Sequence, residues 1–130
     1  MIDIYEKRII NDIETIQEGC CYNLVNIDKS PKEIAYQILQ KLLEWACQPQ
    51  NMTAIAIARK KIREINKDWL NENFLEVIED CIDLSDEWEY RRLLELVVDV
   101  LPEMKGHILE LGIDSENEEI REIVEDYKEI

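Results

Sequence analysis

The chain has 130 residues, and its 30 Asp and Glu against 15 Lys and Arg give a formal net charge of -15. Hydrophobic residues make up 46% of the chain, which excludes an acidic disordered composition, and 3 Gly and 3 Pro leave few places to break strands. We therefore expect a single all-helical domain over residues 1–130. The start MIDIYEKRII does not resemble a signal peptide, and no apolar run is long enough to cross a bilayer, so we expect a soluble, cytoplasmic protein without membrane contact.

Apolar residues recur at helical spacing along most of the chain. Two segments are ambiguous: residues 20–29 indicate either irregular backbone or a short helical turn, and MTAIAIA after Asn51 alternates as a strand does. We favour a helix for the latter because alanine is a strong helix former. The predicted helices cover residues 3–17, 31 to about 48, 51–65, about 67–82, 86–101, 102–111 and 116 to the C-terminus.

Small residues and prolines mark the predicted helix ends. Ser30, Ser85 and Ser115 precede helical segments and are predicted N-caps, because serine hydroxyls accept hydrogen bonds from free backbone N–H groups. Gly19 and Gly112 are predicted to end the first and sixth helices. All three serines are thereby assigned a structural role, which leaves no candidate serine nucleophile.

Two segments of the acidic half align without gaps. Residues 84–96 (LSDEWEYRRLLEL) match residues 114–126 (DSENEEIREIVED), and each follows an apolar helix that ends near an Ile-Asp pair. The period is that of helical repeats. The matched pairs are Ser85 with Ser115, Asp86 with Glu116, Glu89 with Glu119, Tyr90 with Ile120, Arg91 with Arg121, Leu93 with Ile123, Leu94 with Val124 and Glu95 with Glu125.

This pattern resembles a HEAT-like helical repeat, in which the second helix opens with a turn acid and carries a basic residue one turn later. Asp86 with Arg91, and Glu116 with Arg121, fit that description. The resemblance implies six to seven antiparallel helices stacked as a short α-solenoid. The alternative is an irregular helical bundle.

The negative charge is confined to one half of the sequence. Up to Asn66 the chain carries 9 acidic and 9 basic residues, whereas residues 67–130 carry 21 acidic and 6 basic residues. Such a surface repels nucleic acid and attracts basic partners. The basic run from Arg59 to Arg63 is predicted to be a solvated helix face or an internal partner of the acidic half.

No motif predicts catalysis or metal binding. Glu103 and His107 stand one helical turn apart, but neither HExxH nor a paired ExxH supplies further ligands, so we expect an ordinary surface histidine and no metal site. The four cysteines include no CxxC pair and are predicted to be free, mostly buried thiols. We expect a protein that is not an enzyme and has no cofactor.

Stacked repeats bring equivalent turns to one edge, so the acidic turns are predicted to form a ridge. The alternative is that these acids only cap helices and confer solubility. Trp88 is either a core residue or an exposed interface anchor. The candidate partner-binding residues are Asp83, Asp86, Glu87, Trp88, Glu89, Asp114, Glu116, Glu118 and Glu119.

In size, charge and repeat pattern the chain resembles immunity proteins of bacterial polymorphic and contact-dependent toxins, although no diagnostic motif assigns contact residues. The resemblance implies an inhibitor whose carboxylates occlude the basic active site of a toxin domain, in the first instance a nuclease. The alternative is a helical-repeat adaptor for a partner that is not a toxin. An enzyme or metal protein that uses the carboxylates is the third hypothesis.

Overall fold

The computed structural model describes residues 3–129, and this part of the chain forms α-helices and short 3₁₀-helices with no strand, so the all-α fold class is confirmed. Ile130, the predicted end of the last helix, lies outside the described residues. The α-helices are α1 (Ile4–Ile16), α2 (Lys32–Ala46), α3 (Met52–Arg63), α4 (Lys67–Cys81), α5 (Glu87–Val100), α6 (Lys105–Ile113) and α7 (Glu118–Tyr127). The 3₁₀-helices are η1 (Cys20–Tyr22), η2 (Leu24–Lys29) and η3 (Pro102–Met104).

Helices α2 and α5 organise the packing. Helix α2 contacts α1, α3 and α4, and α5 contacts α3, α6 and α7. Helices two apart in the chain therefore touch, as α2 with α4, α3 with α5 and α5 with α7. The HEAT-like solenoid and the irregular bundle remain alternative interpretations of this arrangement.

The core is apolar throughout: among the described residues no polar or charged residue is buried. Removing one Val, Leu or Ile side chain from water contributes about 1.5–3 kcal/mol, so the inward faces of the helices supply most of the stability. Matched apolar positions of the two repeat segments enter this core together. They are Tyr90 with Ile120, Leu93 with Ile123 and Leu94 with Val124.

The path of the chain between α1 and α2 depends on one residue with a left-handed backbone conformation. Gly19 has φ 85° and lies beyond the end of α1, where it redirects the chain into η1 and η2. The Glu14 carboxylate accepts hydrogen bonds from the backbone N–H of Cys21 at 3.1 Å and of Gly19 at 2.9 Å. These bonds hold the pKa of Glu14 below its usual range.

The three serines predicted as N-caps do not cap helices. The Ser30 hydroxyl donates to Gln17 Oε1 at 3.0 Å, and the Ser115 hydroxyl accepts from the Asn117 N–H at 3.1 Å inside the turn before α7. Each helix begins one or two residues later than predicted, where a different residue faces its first turn. The residues at the N-cap positions are Pro31, Asp86 and Asn117.

The prediction that Gly112 ends the sixth helix is wrong, because Gly112 is a buried residue within α6. The Tyr90 ring packs against its Cα, and the Tyr90 hydroxyl donates to the Ile108 carbonyl at 2.6 Å. A Cβ at position 112 would lie 2.6 Å from Tyr90 Cζ and 2.9 Å from Val124 Cγ2. Glycine is therefore required here for the close approach of α5 and α7 to α6.

All four cysteines are free, and Cys20, Cys21 and Cys47 are buried, which confirms the prediction. Cys81 is half-buried. Burial raises the pKa of Cys20 and of Cys81 to about 12 in each case, so these thiols stay protonated at neutral pH.

Ion pairs join the basic end of α3 to the acidic half. Arg59 Nη2 lies 2.7 Å from Glu95 Oε1, and Arg63 Nη2 lies 2.7 Å from Asp99 Oδ1. Arg92 also reaches Glu95, at 2.9 Å. Arg59 and Arg63 are thus internal partners of the acidic half, whereas Lys60 is exposed, so each of the two predicted alternatives holds for part of the basic run.

The Arg59–Glu95–Arg92 cluster is largely desolvated, because its side chains are 17%, 24% and 11% exposed in that order. Burial raises the pKa of Glu95, but hydrogen bonds from Arg59 and Arg92 outweigh it, so the pKa lies below its ordinary value of 4.5. The ionised form of Glu95 therefore contributes stability above that value and loses it as the pH falls through the lowered pKa.

Substitution at Gly112 tests the packing of Tyr90. We expect Gly112→Ala to lower the free energy of unfolding by about 1–3 kcal/mol, since Tyr90 and Val124 must move to admit the methyl group. Gly106→Ala is the matched control in the same helix: its Cβ meets nothing within 4 Å, and we expect a gain of up to about 1 kcal/mol. Urea unfolding measures both, and equal effects would contradict the close contact.

Neutralising Glu95 tests the ion-pair cluster. We expect Glu95→Gln to lower the free energy of unfolding by about 2 kcal/mol at pH 7, because two part-buried arginines lose their charged acceptor. The difference from wild type should shrink as the pH falls below 4.5 and through the lowered pKa of Glu95. The repeat-matched control is Glu125→Gln, whose exposed carboxylate contacts Lys128 at 2.8 Å and should matter by less than about 0.5 kcal/mol. A constant wild-type-to-variant difference from pH 7 to pH 3 would contradict this account.

Candidate binding surface

Two acidic turns lie side by side on one edge of the protein. The first turn, residues 82–86, joins α4 to α5, and the second, residues 114–117, joins α6 to α7. The Asn117 side-chain amide donates to the Ser85 carbonyl at 3.2 Å and so connects them. We call these segments, with the first turns of α5 and α7, the paired acidic turns. The predicted ridge residues are thereby brought to one region of the surface.

The first turn is held by its own acids. Asp86 Oδ1 accepts from the N–H groups of Trp88 at 2.9 Å and Glu89 at 3.0 Å, which caps α5. Asp83 Oδ1 accepts from the hydroxyl and the N–H of Ser85, and these bonds hold its pKa below the usual range. Both carboxylates are exposed. They accept hydrogen bonds from the local backbone and also present negative charge to solvent.

Glu89 differs from the other turn acids because it is partly desolvated. Burial raises its pKa, and the neighbouring charges of Asp86 and Asp83 add to that effect. Its carboxylate accepts one hydrogen bond from the Asp83 N–H at 3.3 Å, which acts in the opposite direction. Glu87, beside it, is half-buried. A partly desolvated carboxylate interacts more strongly with an incoming cation than a fully hydrated one does.

The acids of the second turn have no comparable structural bonds. Asp114, Glu116, Glu118 and Glu119 are exposed, and within residues 3–129 none of their carboxylates has a hydrogen bond or ion pair. Asn117 supplies the cap of α7 by accepting from the Glu119 N–H at 3.0 Å. The cap is thus offset by one residue from the gapless alignment, and the structural counterpart of Asp86 is Asn117.

Trp88 is exposed to 45%, so the core alternative is wrong. The guanidinium carbons of Arg92 and Arg91 lie 5.4 Å and 5.9 Å from the centre of its ring. Arg92 is also fixed by Glu95 and by the Pro49 carbonyl, to which its Nη2 donates at 2.9 Å. The indole is therefore held in place on the surface.

Trp88 also forms one wall of a cleft that sequence reasoning missed. This Trp88 cleft has a volume of about 280 Å³ and lies between the C-terminal end of α2 and the first acidic turn. The residues that give it its character are Glu44, Cys47, Pro49, Cys81, Ile82, Asp86, Trp88 and Glu89. Nothing in the sequence pattern pairs the end of α2 with the start of α5, because their contact depends on tertiary packing.

A second cavity, of about 370 Å³, lies at η1, η2 and α2 in the neutral half. Among the described residues no group of three or more His, Cys, Asp or Glu side chains is placed to hold a metal ion. Glu103 and His107 are both exposed. Within residues 3–129 no helix combines the length and apolar character needed to span a membrane.

Comparison of this chain with protein-family models, with curated proteins and with solved structures found no match. The chemistry of the surface is therefore what points to a function. Its distinguishing features are two connected acidic turns, a fixed exposed indole and an acid-lined cleft beside them.

The cap at Asp86 gives a test of the turn itself. We expect Asp86→Ala to lower the free energy of unfolding by about 1 kcal/mol, because two backbone N–H groups lose their acceptor. Asp86→Asn keeps an oxygen acceptor at the N-cap and should change stability by only a few tenths of a kcal/mol. Thermal or urea unfolding compares the two, and an Asn variant as unstable as the Ala variant would show that charge, not capping, stabilises this turn.

Proposed function

We propose that this protein is a cytoplasmic inhibitor of the immunity type that binds a basic bacterial toxin domain, in the first instance a nuclease. The observation that carries the proposal is the Asn117–Ser85 hydrogen bond, because it holds two acidic turns side by side. A nuclease active site holds phosphates with basic groups. A fixed array of carboxylates competes for those same groups.

The distribution of cations supports this proposal. The half of the chain that carries the turns has 21 acidic and 6 basic residues. Arg92 is engaged by Glu95 and the Pro49 carbonyl, and Arg121 donates to the Ser115 carbonyl at 2.6 Å. Two of the three arginines within this half are thus held by hydrogen-bond acceptors of the chain itself. The remaining excess of negative charge steers a basic partner over long range.

The inhibitor acts by occlusion and needs neither catalysis nor a cofactor. Its carboxylates are fixed by backbone hydrogen bonds in the first turn, whereas those of the second turn have no such bonds. The part of the surface that is fixed before binding avoids part of the entropy cost of association. These properties support a binding protein in preference to the enzyme hypothesis.

An adaptor for a partner that is not a toxin is the second candidate. The exposed Trp88 favours it, because aromatic anchors dominate many protein interfaces whatever the charge of the partner. The two candidates differ in salt dependence. Binding dominated by apolar contact depends weakly on ionic strength, whereas binding steered by carboxylates weakens clearly as salt is added.

The test is binding of the protein encoded immediately upstream in the genome, measured by surface plasmon resonance at low and high salt. We expect a one-to-one complex with a basic toxin domain, inhibition of its activity, and an association rate that falls at least tenfold with added salt. In the double variant Asp86→Asn, Glu116→Gln we expect a clearly slower association, since two ridge charges are removed while the α5 cap is kept.

The matched control is Glu72→Gln, Glu110→Gln, which removes the same charge from exposed positions on α4 and α6 that lie outside the paired acidic turns. It should associate faster than the turn variant. If the two double variants changed the association rate equally, the acids would act only through the net charge of the protein. That result would contradict a defined binding surface. A complex indifferent to salt would favour the adaptor, and absence of any complex with the toxin domain would overturn the inhibitor proposal.

A further inference from the structure

The Trp88 cleft combines an apolar wall with a negative rim. Pro49, Ile82 and the Trp88 indole supply apolar surface, and Glu44, Asp86 and Glu89 supply carboxylates. Among the described residues that line the cleft there is no Lys or Arg. A cleft of this composition fits a side chain with a long apolar stem and a positive head.

The charges around the cleft leave a negative balance. Lys41 pairs with Glu44 at 3.1 Å, which offsets one of the three carboxylates. Arg92 and Arg91 stand near the indole, with their guanidinium carbons 5.4 Å and 5.9 Å from the ring centre, and Arg92 is bound by Glu95 and the Pro49 carbonyl. Asp86 and Glu89 therefore remain as acceptors without a cationic partner among residues 3–129. Because Glu89 is partly desolvated, its carboxylate attracts a nearby cation more strongly than the fully exposed carboxylates of the paired acidic turns do.

We propose that the Trp88 cleft is a docking site for an arginine side chain of the basic partner. The inference rests on the proposed function and names the contact that gives it specificity. A guanidinium is planar, stacks on an aromatic ring and offers paired N–H donors to carboxylates, whereas a lysine ammonium is a compact, strongly hydrated charge. The indole and the carboxylates of Asp86 and Glu89 supply the complementary groups.

The probe is a short, acetylated and amidated glycine peptide with one central arginine, titrated into the wild-type protein and followed by two-dimensional NMR. The chain has 3 tryptophans, so the indole N–H signals of Trp45 and Trp69 serve as internal references for that of Trp88. We expect arginine-dependent shifts at the Trp88 indole and at the backbone of Cys81 and Glu89. The same peptide with citrulline, the neutral isostere of arginine, should leave them unchanged.

Variants then assign the contact. We expect Trp88→Leu and Glu89→Gln each to weaken the peptide about fivefold or more, while Glu72→Gln on α4 stays within about twofold. A lysine peptide should bind at least fivefold more weakly than the arginine peptide. Equal binding of the two peptides, equal binding of the citrulline peptide, or shifts spread over the acidic half with Trp88 unmoved would each overturn the proposal.

The peptide measurement is independent of the toxin complex, so the two proposals fail separately. Peptide binding in the cleft without a toxin complex would keep the arginine site and remove the inhibitor. A salt-sensitive toxin complex that is insensitive to Trp88→Leu, together with no peptide shift, would keep the inhibitor and remove the cleft from its interface.

Discussion

The structure must accommodate one constraint above all: the carboxylates of the C-terminal half repel one another. A segment with 21 acidic and 6 basic residues opposes its own compaction unless its acids are dispersed or paired. The fold meets this constraint by keeping charged residues out of the core and by drawing cations from the neutral half. Arg59 reaches Glu95, and Arg63 reaches Asp99, across the contact between α3 and α5. The neutral half is therefore an electrostatic partner of the acidic half as well as its packing partner.

The same constraint makes the two acidic turns unequal. In the first turn Asp83 and Asp86 are engaged by Ser85 and by the backbone of α5, so each charge is held at a fixed position. In the second turn an asparagine provides the cap, and the acids around it are free of such bonds within the described chain. One turn is rigid and the other adaptable. An interface made of both would combine a fixed contact with side chains that adjust to the partner.

Amphipathic spacing predicted the all-α fold and most helix bounds, because one face of each helix must be buried. It failed where a single side chain decides the outcome. The gapless repeat predicted that Ser85 and Ser115 cap α5 and α7. The N-cap residues are instead Asp86 and Asn117, whose side chains are longer. Gly112 was assigned to a helix end, since nothing local shows that Tyr90 packs on it. Trp88 lies one turn before Arg91 and Arg92 on the same face of α5, so a helical wheel did place it on the charged face of the helix.

The Trp88 cleft shows why neighbouring features should be considered as one surface. Asp86 caps α5, belongs to the paired acidic turns and lines the cleft, so one carboxylate links capping, charge and shape. The opposite wall comes from Glu44, Cys47 and Pro49 at the end of α2, and Arg92 binds the Pro49 carbonyl of that wall. The neutral half therefore contributes directly to the only described concavity beside the acidic turns that also has an exposed indole. A partner that binds this surface must be complementary to residues of both halves of the chain. Long-range electrostatic attraction alone does not require such complementarity.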